Sequence, residues 1–160
     1  MSVRPLTGIA LKSCMDTLRF RIRDESVVDL FAGEGRFGIA CQREQARRVV
    51  FVEKSPVQCA KLSACEAGEV VQQDVFEYLA GTKEVFSIVF ADPPFPVWSE
   101  QFWQRLSEGA KRCLAVGGIF LVKTPRRVLF SLENSGLRAL KSSTFGESRL
   151  SYFERLEDVG

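Results

Sequence analysis

Two short stretches of the chain carry residue types that could do chemistry. The first, Asp29-Leu30-Phe31-Ala32-Gly33-Glu34-Gly35-Arg36-Phe37-Gly38, contains a G-x-G-x-x-G pattern directly after an apolar run and before a helical one. Glycines there let the backbone pass close under a ligand, and the helix that follows offers unpaired N–H groups. The second is Asp92-Pro93-Pro94-Phe95. Consecutive prolines hold the backbone extended and leave carbonyls without N–H neighbours. Asp92 and the Pro93 carbonyl can then both accept hydrogen bonds from one planar NH2 group, while Phe95 offers a face on which the base bearing it can stack. Alkylating an exocyclic amine requires this. The lone pair is delocalised into the ring until acceptors draw the N–H bonds out of plane, and the nitrogen then sheds a proton that Asp92 or water can take. Asp92, Pro93, Pro94 and Phe95 are the candidate catalytic residues.

Eighteen residues after Gly35, at the tip of the next apolar run, stands Glu53, placed to accept from both hydroxyls of a ribose. A dinucleotide would set its pyrophosphate against this loop, where Glu34 and Asp29 repel it. S-adenosylmethionine (SAM) brings an ammonium, a carboxylate, a sulfonium and a ribose, and suits an acidic loop better. Gln73-Asp74-Val75 ends a third run: Asp74 reads either as an acceptor for the adenine amine, with the Val75 N–H donating to the ring, or as a helix N-cap. Asp29, Phe31, Gly33, Gly35, Glu53, Lys54, Asp74 and Val75 make up the expected cofactor set.

These residues need strands to carry them. Ser26–Phe31, Val49–Glu53, Glu69–Gln72, Phe86–Ala91 and Ile119–Lys123 read as strands, four of them near-continuously apolar, and helical patterns lie between them. Helices are expected over residues 5–22, 36–46, from Ser55-Pro56 onward, 75–79, 99–114 and 126–135, with Gly117-Gly118 as a turn. Arg138–Ser143 and Arg149–Leu156 suggest a terminal hairpin. The pattern predicts an α/β fold: a doubly wound, mostly parallel, Rossmann-like sheet with a C-terminal antiparallel hairpin. Ligands bind such sheets at the carboxyl ends of their strands, where both motifs fall.

At 160 residues, with 46% hydrophobic and 26% charged residues, the chain reads as one globular domain, residues 1–160, opening on a basic helical segment over 1–23. No apolar run reaches the length of a membrane span, and the first residues lack the features of a secretory signal. Histidine is absent, which removes Ser-His-Asp and Cys-His catalysis and most zinc sites. Five scattered cysteines without a C-x-x-C pair suggest free thiols in a reducing, cytoplasmic setting and no metal. Residues 1–23 carry a net +4, residues 24–104 a net −6 and residues 105–160 a net +4, so the basic ends could meet a polyanion.

Together these motifs resemble the class I SAM-dependent methyltransferases, and within them the RsmD-type enzymes that methylate N2 of a guanine in 16S ribosomal RNA. Arg4-Pro5, the loop from Asp29 to Gly38, Phe51-Val52-Glu53, Asp92-Pro93-Pro94-Phe95, and Phe145-Gly146-Glu147-Ser148-Arg149-Leu150 with Tyr152-Phe153 carry the resemblance. Glu34, Arg36-Phe37 and Lys123 depart from it; the family tends to have an acidic residue near Lys123. The resemblance implies a ribosomal RNA or small-subunit particle as partner and a monomeric enzyme. RNA contacts then fall to Arg4, Lys12 and the other N-terminal basic residues, with Lys123, Arg126 and Arg127 past the fifth strand. Trp98 is a candidate wall of the base pocket, whereas Trp103 is assigned to the core. The rivals are an adenine-N6 methylase, a dinucleotide oxidoreductase and a non-catalytic RNA-binding domain on the same fold.

Overall fold

The computed structural model describes residues 6–132 and 135–158, and for Phe95 the backbone alone. The chain opens with α1 (Gly8–Thr17) and then alternates: β1 (Ser26–Leu30), α2 (Arg36–Arg43), β2 (Arg48–Glu53), α3 (Pro56–Cys65), β3 (Glu69–Gln72), α4 (Val75–Gly81) and β4 (Phe86–Ala91). A 3-10 turn (Phe95–Val97) leads into α5 (Glu100–Arg112), β5 (Leu114–Pro125), β6 (Leu137–Phe145) and β7 (Ser148–Arg155). The strands form one sheet in the order β3-β2-β1-β4-β5-β7-β6. β1 to β5 pair in parallel and β7 runs antiparallel between β5 and β6, so the fold is α/β, mostly parallel, with an antiparallel terminal hairpin.

Alternation along each strand divides the core between the two faces. Val28, Leu30, Val50, Val52, Val89, Phe120 and Val122 meet α4 and α5 through Leu79, Trp103 and Leu106. Val27, Phe51, Ile88, Phe90, Ile119 and Leu121 meet the other side through Cys14, Phe37, Cys41 and Leu62. Each such fully buried aliphatic or aromatic side chain contributes ~1.5–3 kcal/mol. Connections after β1 and after β4 leave in opposite directions, because β2 and β3 lie to one side of β1 and β5 to the other side of β4. A crevice opens between the carboxyl ends of β1 and β4 for this reason.

Helix starts follow their local chemistry. The Ser55 hydroxyl accepts from the Gln58 N–H with Pro56 in the first turn, and Ser99 caps α5 through the Phe102 N–H. Three expectations need correction. α1 stops at Thr17, since residues 18–25 must double back into β1; Leu18 and Ile22 are still buried, from a turn. Gly117 and Gly118 lie inside β5, where Gly117 has φ +79° and a Cβ on Gly118 would come within 2.8 Å of the Ala115 carbonyl oxygen. The helix expected over 126–135 does not form in the described residues. After Pro125 the chain turns, the Val128 N–H bonding the Pro125 carbonyl, and Phe130 then stacks on Trp103 at 5.1 Å.

Candidate active site

The carboxyl ends of β1, β2, β3 and β4 surround a cavity of about 530 Å³, within the usual size of small-ligand pockets. Both motifs reach it. Asp29, Phe31, Gly33 and Gly35 line it from the first loop, Glu53 and Lys54 from the second, Asp74 and Val75 from the third, and Asp92 and Pro94 from the fourth.

On the glycine-loop side the carboxylates are held by main-chain donors. Phe31 leaves β1 with φ +56°, a left-handed conformation that turns the chain sharply, and the Ala32 N–H bonds back to the Val52 carbonyl. Gly33 (φ +55°) donates its N–H to Glu53 Oε1 at 2.9 Å, while the Ser55 N–H donates to Oε2 at 2.7 Å. Glu53 is thereby fixed with lone pairs still available toward the cavity. Asp29 is 1% exposed; its Oδ2 accepts from the Gly38 N–H at 3.0 Å and its Oδ1 has no protein partner. Burial holds this carboxyl well above the usual carboxylate range, against the pull of the Gly38 N–H and with the Asp92 and Glu53 charges adding to the shift. Gly38 is required by packing: a Cβ there would lie 2.4 Å from the Phe51 ring.

Asp74 resolves toward the capping alternative, because its Oδ2 accepts from the Phe76 and Glu77 N–H groups at the head of α4. Even so, its carboxylate lines the cavity beside Val75.

Asp92 presents a different environment. β4 ends at Ala91 because Pro93 and Pro94 cannot continue the ladder, and the register sets Ala91 opposite Val122 on β5. One step further, Asp92 meets Lys123, whose Nζ lies 3.5 Å from Asp92 Oδ1. Burial pushes the Asp92 carboxyl up to about 6 while the Lys123 ammonium opposes the shift. Lys123 is itself only 4% exposed, so the expected phosphate contact there is wrong: the side chain is enclosed and turned to Asp92.

The remaining expectations divide. Arg126 and Arg127 are exposed just beyond β5, at the same end of the sheet as the cavity. Lys12 is exposed on α1 and paired with Asp16 at 2.9 Å. Arg19, Arg21 and Arg23 fall at the opposite pole, before β1, where Arg21 Nη1 donates to the Gly117 carbonyl. Arg4 and the Phe95 side chain lie outside the described residues. Trp98 packs on Phe102 and Phe130 rather than lining the cavity, and Trp103 is buried in the core. Phe37, stacked on Phe90 at 4.2 Å, and Phe76 and Phe102 also wall the cavity. Phe90 was legible by alternation, two residues before Asp92; Phe76 and Phe102 were not, since their helices reach the site only through packing. Among the described residues no group of His, Cys, Asp and Glu could hold a metal, and no helix is long and apolar enough to cross a membrane.

Comparison with known proteins agrees with this architecture. The structure of yhhF from Escherichia coli, a methyltransferase candidate, superposes with a TM-score of 0.83 at 21% identity, over 97% of this chain and 88% of that one. A methylase candidate from Haemophilus influenzae gives 0.78 at 25% identity, over 96% and 100%. An RNA methyltransferase from Salinibacter ruber, solved with S-adenosyl-L-homocysteine, gives 0.71 at 18% identity, over 98% and 97%. In sequence, the ribosomal RNA small subunit methyltransferase D of Haemophilus influenzae is 30% identical over 104 residues, 58% of this chain and 53% of the relative, so the match spans about half of that relative's length. The model of the family described as conserved hypothetical protein 95 matches residues 1–154. The chain belongs to this family, the RsmD family, and has the fold of class I methyltransferases.

Proposed function

We propose that this protein transfers a methyl group from SAM to an exocyclic base amine, N2 of a guanine in small-subunit ribosomal RNA. The observation that carries the reading is that the glycine loop and the proline corner, through Asp92 and Pro94, open into one cavity. The cavity fits this cofactor by the chemistry of its lining. Asp29 offers a buried, unpartnered oxygen, Glu53 a fixed carboxylate at the tip of β2, and Gly33 an approach with no atom nearer than 4.0 Å to where a Cβ would be. Such an acidic wall attracts an ammonium and ribose hydroxyls and repels a pyrophosphate, which disfavours the dinucleotide alternative.

SAM, when bound, supplies a methyl carbon made electrophilic by its sulfonium. Glu53 would accept from the ribose hydroxyls, and Asp74 and Val75 would hold the adenine. Asp92 and the Pro93 carbonyl accept from the two N–H bonds of the target amine and aim its lone pair across the cavity. Alkylation makes the amine nitrogen acidic, and Asp92 would receive its proton, with the sulfonium that SAM supplies as the leaving group. Holding the two reacting groups in line is worth ~7–11 kcal/mol of barrier. Arg126 and Arg127 contact RNA phosphates without reading sequence, so base choice falls to the cavity. The small-subunit assignment follows the name of the Haemophilus influenzae relative.

Mass spectrometry of rRNA nucleosides from cells with and without the gene tests the reading. The expected result is loss of N2-methylguanosine in the small-subunit RNA. Loss of N6-methyladenosine instead would transfer the assignment to the adenine class. Failure of SAM to bind at millimolar concentration would leave a non-catalytic RNA-binding domain.

A further inference from the structure

We infer that Lys123 is a positioning residue for the amine transfer: from behind the cavity wall, its ammonium holds the Asp92 carboxylate in one orientation and in its ionised form, the form that can receive a proton. The functional meaning of this inference rests on the reading proposed above.

Three observations lead to it. Lys123 continues the alternation of Ile119 and Leu121, so its side chain enters the apolar layer between the sheet and α1. Lysine is almost never fully buried unless paired, and taking an ammonium out of water costs several kcal/mol. An aliphatic residue would fill this place without that cost, so packing does not explain the charge. The ammonium also stands 3.5 Å from the carboxylate that the proline corner presents to the cavity.

The other titratable groups around Asp92 do not substitute for it. From β1 comes Asp29, an acidic group whose carboxyl burial holds well above the usual range and which brings no positive charge to Asp92. From α1 comes the Cys14 thiol, which burial pushes up to about 11, and the Asp92 charge adds to that shift. Glu53, across the cavity on β2, is a further negative group acting on Asp29. Lys123, from β5, supplies the positive charge that opposes burial at Asp92. With it the carboxylate is ionised in the neutral range; without it, burial favours the protonated acid, which lacks the charge that strengthens acceptance from an amine and cannot receive the amine's proton.

The test compares wild type, Lys123→Met and Lys123→Arg in the full chain. The Asp92 carboxyl is titrated by carbon-13 NMR, its resonance identified with Asp92→Asn. Methyl transfer from labelled SAM to small-subunit RNA is followed against pH in parallel. In Lys123→Met the carboxyl should titrate ~1–3 pH units higher than in wild type. The acidic limb of kcat/KM should move by the same amount, a loss of about tenfold at pH 7 for a two-unit shift, regained as pH rises past the new value. Lys123→Arg should retain the wild-type profile, and SAM affinity should be unchanged in both. Should Lys123→Met not fold, Lys123→Gln carries the same comparison. An unmoved titration, or a loss of activity equal at every pH, overturns the inference and leaves Lys123 a structural residue. If wild type transfers no methyl group, the proposed function fails, while the NMR titration still decides whether Lys123 controls Asp92.

Discussion

The two walls of the cavity are built on different principles. On the glycine-loop wall, acidic side chains are locked by uncharged main-chain donors: Gly38 for Asp29, and Gly33 and Ser55 for Glu53. On the opposite wall the prolines remove main-chain donors, and Asp92 is held by a buried charge on the neighbouring strand. Hydrogen bonds to N–H groups do not depend on the ionisation of the donor, whereas an ion pair does. The glycine-loop wall therefore fixes its acceptors without a partner charge, whereas the Asp92 wall couples its acceptor to a neighbouring charge, as suits a step that moves a proton.

Breaking the second wall should have the largest effect. Asp92→Ala should lower methyl transfer by ~10²–10³-fold, the scale of losing one preorganised hydrogen-bonding group at a reacting centre, with little change in SAM affinity by calorimetry. An equal loss of SAM binding would erase the distinction between the walls. Glu53→Gln attacks the first wall: removing a charged acceptor should weaken SAM binding by ~10–100-fold, with turnover at saturating SAM nearly preserved. Gly38→Ala probes the same wall through packing. The collision with the Phe51 ring should outweigh the gain in helix propensity and destabilise the fold by about 1–2 kcal/mol in urea unfolding.

A pH series sharpens the contrast. The folded Asp92 carboxyl titrates at about 6, above the ~3.9 of an unfolded chain, so it binds its proton more tightly when folded. Its contribution to stability is full below about pH 4 and is lost as pH rises to about 6. Asp92→Asn, which does not titrate, should gain stability relative to wild type across that interval, followed by chemical denaturation at each pH. The smallest effect is expected outside both walls. Arg126→Ala or Arg127→Ala should weaken RNA binding a few-fold and reduce the slope of log affinity against log salt by ~1, with SAM affinity unchanged.

Much of the first wall was legible along the chain because its parts are neighbours there. An apolar run, two glycines, a helix start and an acid follow one another within residues 26–53, in the order of β1, α2 and β2. The second wall was only half legible. Asp92-Pro93-Pro94 announces an extended corner with exposed acceptors, yet Lys123 reads as one more cation in a basic segment that includes Arg126 and Arg127. Alternation with Ile119 and Leu121 marks its face, but not that this face is covered by α1 or that Asp92 lies alongside. Similarly, Val128, Leu129, Phe130 and Leu132 resemble a helical stretch, while in the structure Phe130 is taken up by Trp103 and the Ser131 carbonyl by the indole N–H.

What the residues determined unaided was local: which runs are strands, where glycines allow the turn after β1, and where prolines end β4. Backbone sterics and side-chain periodicity act over a few residues and need no partner. What the tertiary structure decided was the pairing of strands and the covering of faces. These placed Lys123 behind Asp92, moved Trp98 off the cavity, and sent Arg19, Arg21 and Arg23 to the pole opposite Arg126 and Arg127. A charge reads alike on a surface and in a core; only the register of β4 against β5 and the helix packed over them decide whether it meets water or a carboxylate.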